Sequence, residues 1–193
     1  LFKAMRKEKI KNKLYENYIL FVGSIEPRKN LVSLLKAYLL LPEYIRKEFK
    51  LLLVGFKGWG NKEILDLLNK LQGSVVYLGY VKNEELIDLY GGASCFVYPS
   101  LYEGFGLPPL EAMACGCPVV VSQVTSLPEI CGDAACYVDP YDVESIAEGM
   151  HKVLTDETMR QNLIEKGLER AKLFSWEKAA KEHLKVFDEL LSN

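Results

Sequence analysis

The segment YPSLYEGFGLPPLEAMACGCPVVV, from Tyr98 to Val121, decides how this chain is read. It leaves a short apolar run, turns through glycines, enters a helix at a proline pair and returns to a second apolar run at Val119. Gly104 and Gly106 carry no Cβ, so the backbone there can turn tightly and approach a ligand. Pro108 and Pro109 suit the first helical positions, where a fixed φ is preorganised and a missing N–H costs little. A helix start with unpaired amides attracts anions through its dipole and its free donors. Neither proline has an amide hydrogen, so the donors come from Phe105, Gly106 and Leu107. Glu103 stands at the loop mouth, and Glu111 lies about one turn into the helix, facing the same cleft. That arrangement suits a phosphorylated sugar. Taken singly, Glu103 also reads as a solvated loop acid and Glu111 as a helix acid favoured by the dipole. Such a reading leaves the loop between them unexplained.

Outward from this segment, apolar runs rich in β-branched and aromatic residues alternate with helical patterns, as in an α/β chain with a parallel sheet covered on both faces. Strands are expected at Ile19 to Gly23, Lys50 to Gly55, Val75 to Gly79, Cys95 to Tyr98, Val119 to Ser122 and Cys136 to Val138. Leu31, Leu34, Leu35 and Tyr38 recur at helical spacing behind an Asn30 cap. A second helix is expected from Lys62 to Leu71, and a third from Asn83, whose side chain caps it while Glu84 and Glu85 fill the first turn. Asp142 and Thr155 are read as caps of two further helices. Ser175 opens a last, amphipathic helix through Trp176, Ala180, Phe187 and Leu191. No internal repeat or low-complexity tract is seen.

The Tyr98 to Val121 segment resembles the E-x7-E signature of retaining GT-B glycosyltransferases of family 4, the glycosyl transferases group 1. The resemblance runs from about Tyr15 to the end of the chain. It implies a Rossmann-like parallel sheet flanked by helices, the C-terminal, donor-binding half of an enzyme with two such domains. By position it implies that Glu103 contacts donor-sugar hydroxyls, that the Gly104 to Leu107 loop holds sugar and phosphate, and that Glu111 holds the nucleotide ribose. It also implies a division into a linker helix at 1–17, a nucleotide-sugar domain at 18–174 and a C-terminal helix at 175–193 reaching towards the missing N-terminal domain. Leu168 to Phe174 is then the hinge-side segment.

The first strand runs into FVGSIEPRKN, which places Gly23, Ser24, Arg28 and Lys29 at its C-terminal end, where open α/β sheets bind ligands. Two cations there can neutralise a diphosphate, although an Arg-Lys pair in a turn can also be simply solvated. The stretch resembles the family's diphosphate-binding loop, in which the lysine is the most transferable residue; Ser24 stands where many relatives carry arginine, and Arg28 can supply that charge. LGYVKNEEL, after the third strand, corresponds to the family's nucleobase loop. Tyr80 and Val81 are therefore candidates for base contacts, or else loop residues packed on the core. The FKGWGN loop brings Lys57 and Trp59 to the same sheet edge, either near the donor or with Trp59 folded onto the core. His151 and His183 fall in amphipathic helices as surface or packing residues.

With 193 residues and 49% hydrophobic content, the chain can bury one ordinary core. Its net charge of −2 gives no global footprint for nucleic acid. A basic run from Lys3 to Lys13 suits a solvated or interdomain helix and is compatible with peripheral membrane association. No apolar run has the length of a membrane span. The five cysteines form no C-x-x-C pair, so packing in a reduced, cytoplasmic setting is expected, at the inner face of the membrane if the basic run docks there. No Asp-x-Asp pair is present to bring Mg²⁺ to a nucleotide sugar, and no metal or cofactor is expected. The diphosphate would be stabilised by basic side chains and helix amides.

The resemblance implies retention at the anomeric carbon, with a front-face displacement in which the leaving phosphate takes the acceptor's proton. In that scheme Arg28, Lys29 and Glu103 form the catalytic set. The EPRKN variant looks most like mannosyltransferases of cell-surface polysaccharides, which points to GDP-mannose as donor and to a glycan or lipid acceptor held by the missing domain. The rival from another class is a catalytically silent GT-B-like subunit that binds nucleotide sugar or a partner. A dinucleotide oxidoreductase is disfavoured because GSIEPRKN lacks the glycine-rich fingerprint after the first strand.

Overall fold

The computed structural model describes residues 16–56 and 62–191. In chain order the elements are β1 (Tyr18–Val22), α1 (Leu31–Leu40), α2 (Glu43–Glu48), β2 (Lys50–Val54), α3 (Lys62–Lys70), β3 (Val75–Gly79), α4 (Asn83–Gly92), β4 (Cys95–Tyr98), α5 (Leu107–Ala114), β5 (Val119–Ser122), α6 (Leu127–Cys131), β6 (Ala135–Val138), α7 (Val143–Thr155), α8 (Glu157–Lys172) and α9 (Trp176–Leu191). The strands pair in parallel in the order β3-β2-β1-β4-β5-β6. The central strands YILFV, CFVY and VVVS are apolar without alternation because helices bury both of their faces. Helices α1, α3 and α7 pack together, as do α4, α5, α6 and α8, and the two groups cover the two faces.

This strand order puts the topological switch between β1 and β4, where successive connections leave in opposite directions and open a crevice. The loop after β1 carries Arg28 and Lys29; the loop after β4 carries Glu103. The sequence therefore places its charged candidates on the two loops that border the crevice.

The expected strands agree with the observed ones to within one residue at each end. The helix caps need correction at three positions. Asn30 does not cap α1 with its side chain; its backbone is left-handed (φ 58°) and its Nδ2 donates to Pro99 O at 3.0 Å and Pro140 O at 2.7 Å. Asn83 is the first residue of α4 rather than its cap, and the Glu85 carboxylate accepts the Lys82 N–H at 3.2 Å. At the start of α8 Asp156, not Thr155, accepts the Met159 N–H, because Thr155 still belongs to α7 and donates to the His151 carbonyl. Asp142 caps α7 as expected, and the Ser175 hydroxyl accepts the Lys178 N–H. The short α2 and a 3-10 turn at Pro27–Lys29 have no counterpart in the periodicity reading. Leu168 to Lys172 lie in α8, and Phe174 packs edge-on against Phe105 with centroids 5.9 Å apart. Helix α9 buries none of its residues among the described contacts, and Trp176 is 76% exposed. The 1–15 part of the expected linker helix, and Lys57 and Trp59, lie outside the described residues.

The five cysteines are free, and four of them are buried: Cys95 and Cys136 in strands, Cys117 in the loop before β5 and Cys131 at the end of α6. At the carboxyl edge of the sheet the first three strands end in a row of backbone contacts: Gly23 N–H donates to Val54 O at 2.8 Å and Gly55 N–H to Gly79 O at 2.9 Å. Gly55 sits at φ 142°, and a Cβ there would lie 2.1 Å from the Gly23 carbonyl oxygen. Backbone must move to admit any side chain, so Gly55→Ala is expected to destabilise the fold by about 1–3 kcal/mol or more. A melting temperature equal to that of wild type would contradict this close approach.

Candidate functional site

The site begins with a charge that the fold buries. Lys29, at the end of the 3-10 turn, is only 6% exposed, and Glu103 is 9% exposed. An ammonium so placed needs a partner, since isolated buried charge is very costly. Lys29 Nζ donates to Glu103 Oε1 at 2.7 Å and also to the Tyr98 hydroxyl oxygen. The half-exposed Arg28 brings Nη1 to 3.2 Å from both Glu103 oxygens, while its Nε donates to Glu26 Oε2 at 2.9 Å. Glu26 in turn accepts the Ser24 hydroxyl. Burial pushes the Glu103 carboxyl up, but the hydrogen bond and charge of Lys29, together with the Ser100 and Tyr98 hydroxyls, outweigh it and hold it below its ordinary value. Burial raises the Tyr98 phenol, so it stays protonated and can donate to Glu103 while accepting from Lys29.

The next turn of chain is fastened from the loop after β5. Glu103 N–H donates to Thr125 Oγ1 at 3.2 Å, and the Ser126 hydroxyl lies 2.9 Å from Glu103 O and 2.8 Å from Phe105 O. Thr125 is left-handed at φ 58°, a costly conformation for a β-branched residue. Gly106, at φ 110°, leads into α5, and a Cβ on it would meet Leu127 Cδ2 at 2.7 Å. With the Glu103 and Phe105 carbonyls engaged by Ser126, the amides of Gly104, Phe105, Gly106 and Leu107 have no acceptor among the described residues. They form a donor cluster at a helix start beside Arg28.

Glu111, on α5, is half-buried and its Oε2 accepts the Tyr90 hydroxyl at 3.1 Å. Burial pushes its carboxyl up, opposed by the Tyr90 hydrogen bond. The two glutamates are thus held differently: Glu103 is ionised between cations, whereas Glu111 meets a neutral hydroxyl.

Tyr80 is exposed and stacks on Phe56, with centroids 5.0 Å apart, at the carboxyl edge beyond β2 and β3. Val81 is half-buried against the core. No hydrogen bond or ion pair among the described residues ties either to the Lys29 and Glu103 cluster. His151 meets the Tyr44 hydroxyl at 3.3 Å, and His183 is exposed on α9. Among the described residues no group of three His, Cys, Asp or Glu is arranged to hold a metal, and no helix is long and apolar enough to cross a membrane.

Sequence reasoning missed Tyr90, Tyr98, Thr125 and Ser126. Tyr98 stood inside the quoted segment, and Thr125 and Ser126 follow β5 at the carboxyl edge where ligand-side loops gather. Tyr90 carries no such signal, because its link to Glu111 is tertiary.

A doubly wound parallel sheet whose switch point holds paired cations, carboxylates and free loop amides defines a Rossmann-like domain. The model of the Glycosyl transferases group 1 family matches residues 3–170, and the chain belongs to that family. It is 46% identical over 175 residues to O-antigen chain mannosyltransferase B of Escherichia coli, which covers 90% of this chain and 46% of that protein. It is 37% identical over 201 residues to the serotype-specific mannosyltransferase WbdA of Escherichia coli, covering all of this chain and 24% of that protein. Among solved structures it resembles sucrose-phosphate synthase from Thermosynechococcus elongatus with a TM-score of 0.80 at 31% identity, over 92% of this chain and 46% of that one. It also resembles WaaG, a glycosyltransferase involved in lipopolysaccharide biosynthesis, with a TM-score of 0.76 at 26% identity, over 93% of this chain and 52% of that one. The chain spans less than half the length of these two curated relatives.

The buried pair sets a pH test. Lys29→Met strands Glu103 and is expected to cost about 3 kcal/mol of folding stability near pH 7, much of it recovered in Lys29→Met/Glu103→Gln. In wild type the depressed Glu103 pKa contributes stability at neutral pH that is lost as pH falls through its folded value. Lys29→Met removes the Lys29 share of the depression and leaves burial less opposed, so urea unfolding should show the gap between wild type and variant narrowing from about pH 7 to about pH 4. A gap that widens towards acid would refute the pairing.

Proposed function

We propose that this chain is the donor-binding, C-terminal half of a retaining glycosyltransferase that moves a sugar from a nucleoside-diphosphate sugar to a glycan or lipid acceptor. The observation that carries the reading is the contact between Lys29 and Glu103. It sets a phosphate-type cation 2.7 Å from a sugar-type carboxylate at the switch point of the sheet. Arg28 and Lys29 bind the diphosphate, helped by the Gly104 to Leu107 amides. Gly23 and Ser24 let the backbone of the first loop approach the same phosphates. Glu103 accepts from the sugar hydroxyls and Glu111 from the ribose, while Tyr80 and Val81 border the base.

The chemistry follows from these placements. Transfer needs the leaving diphosphate stabilised as its bond to the anomeric carbon breaks, and two fixed cations with preorganised amides provide that field. On the retained face the departing phosphate oxygen is the base nearest the acceptor hydroxyl, and Glu103 holds the ring in place. The sugar is proposed to be mannose and the donor GDP-mannose, on the strength of the two mannosyltransferases named above. The proposed domain plan is an interdomain linker at 1–17, the donor domain at 18–174 and a helix at 175–193 that crosses to the partner domain; the bare face of α9 supports the last part. A cytoplasmic position at the inner membrane face accords with donor supply and the basic run from Lys3 to Lys13.

Calorimetry with GDP, UDP, ADP and dTDP, with and without EDTA, tests the reading. GDP is expected to bind best, and chelation to leave its affinity unchanged. Arg28→Ala removes a charge-assisted contact of about 1.5–3 kcal/mol, so GDP affinity should fall roughly ten- to hundredfold while guanosine binding stays the same. Glu111→Gln should weaken guanosine itself. Binding that requires Mg²⁺, or variants that leave the ratio of GDP to guanosine affinity untouched, would overturn the assignment.

A further inference from the structure

Tyr90 is fully buried at the end of α4, yet its hydroxyl reaches across to Glu111 Oε2 at 3.1 Å. Its ring is locked by an aromatic column: it meets Phe96 edge-on at 5.5 Å, and Phe96 stacks on Tyr98 at 5.6 Å. Tyr98 is the residue whose hydroxyl accepts from Lys29 beside Glu103. Each glutamate of the pair is therefore met by a buried tyrosine hydroxyl, and the two tyrosines are packed through one phenylalanine. A buried phenol needs a partner, and a half-buried carboxylate with one oxygen engaged has its torsions fixed. Among the described residues Glu111 Oε1 receives no hydrogen bond.

We propose that Tyr90 is a positioning residue whose hydroxyl anchors one oxygen of Glu111 so that the other accepts from the vicinal hydroxyls of a bound ribose. The proposal rests on the reading of Glu111 as the ribose acceptor. A carboxylate free to rotate would lose entropy on binding and share its oxygens poorly between two adjacent hydroxyls; one pinned from behind by a rigid donor pays that cost during folding.

The hydroxyl also acts on protonation. The titratable groups facing Glu111 are Tyr90 from α4 and Cys115 one turn on along α5, and burial raises both, Cys115 to about 11, so neither changes charge in the acid range. No charged side chain of β4, β5, α6 or α8 among the described residues perturbs it. Burial pushes Glu111 up and Tyr90 opposes that push. Without the hydroxyl the carboxyl therefore rises further and protonates at higher pH.

The test uses the natural full-length protein, with GDP, 2′-deoxy-GDP and 3′-deoxy-GDP as probes, across the acid range. Glu111→Gln is first expected to lose most of the preference for GDP over the deoxy analogues; a preference that persists sinks the ribose reading itself. If the preference is lost, Tyr90→Phe should weaken GDP about fivefold, as for one hydrogen bond. It should also shrink the preference for GDP over the deoxy analogues and move the acid-side loss of affinity to higher pH. Tyr38→Phe is the control: it removes another buried hydroxyl, one that donates to Phe49 O at 2.9 Å, and should lower stability without moving either readout. If Tyr90→Phe lowers the melting temperature but keeps the wild-type preference and acid limb, Tyr90 is structural only and the proposal is wrong.

Discussion

The ammonium of Lys29 cannot remain buried and charged alone, and most of the cleft is arranged around that fact. Its partner, Glu103, comes from a loop 74 residues later in the chain. The pair therefore ties the end of β1 to the end of β4 across the switch point. Asn30, the next residue, adds a neutral version of the same tie: its side-chain amide bridges the carbonyls of Pro99 and Pro140, joining loops that follow β1, β4 and β6. Its left-handed backbone is the conformational cost of aiming that amide inward, and asparagine tolerates it better than most residues. Loops that would otherwise move independently are thereby held to one another by polar contacts in a dry place.

The architecture was legible because its strands are buried on both faces. Runs such as CFVY and VVVS have no alternation to misread, and their ends coincide with glycine, proline or small polar residues. Helix ends were less legible. Asn30, Asn83 and Thr155 are all plausible caps by type, yet each is drawn elsewhere. Asn30 has distant carbonyls to satisfy, Asn83 already lies inside its helix, and Thr155 bonds back along α7. Capping propensity is a local preference of about 1 kcal/mol. Tertiary partners outbid it. The short α2 has too few residues to show a period.

The charged candidates of the site were legible because glycine loops, proline pairs and lone cations at strand ends are rare enough in combination to point to chemistry. Their partners were not. Sequence spacing places Glu103 and Lys29 on neighbouring loops but says nothing of their contact, and it offers both as free groups, whereas the folded chain holds them engaged with each other. Thr125 and Ser126, which fasten the Glu103 loop, are ordinary residues whose importance comes from the strain of Thr125 and the carbonyls Ser126 collects. A sequence cannot reveal either. Tyr80 and Val81 remain on the same edge of the sheet but apart from the cluster, and no hydrogen bond or ion pair among the described residues joins them to it.

The charge count of the cluster has a kinetic side. Arg28 and Lys29 are matched by Glu26 and Glu103, so at a distance of a Debye length or more, about 8–10 Å, the mouth of the cleft is close to neutral. An approaching polyanion would gain little from long-range steering, and its rate of encounter should depend only weakly on ionic strength. On the proposed reading, selection would fall to short range, where an incoming oxygen would replace a carboxylate in front of Arg28 and the displaced carboxylate would turn to other donors. In the proposed site the ion pairs of Arg28 and Lys29 would stand in for a ligand's own charges, and a free anion would be disfavoured because it could not give Glu103 a hydroxyl in return.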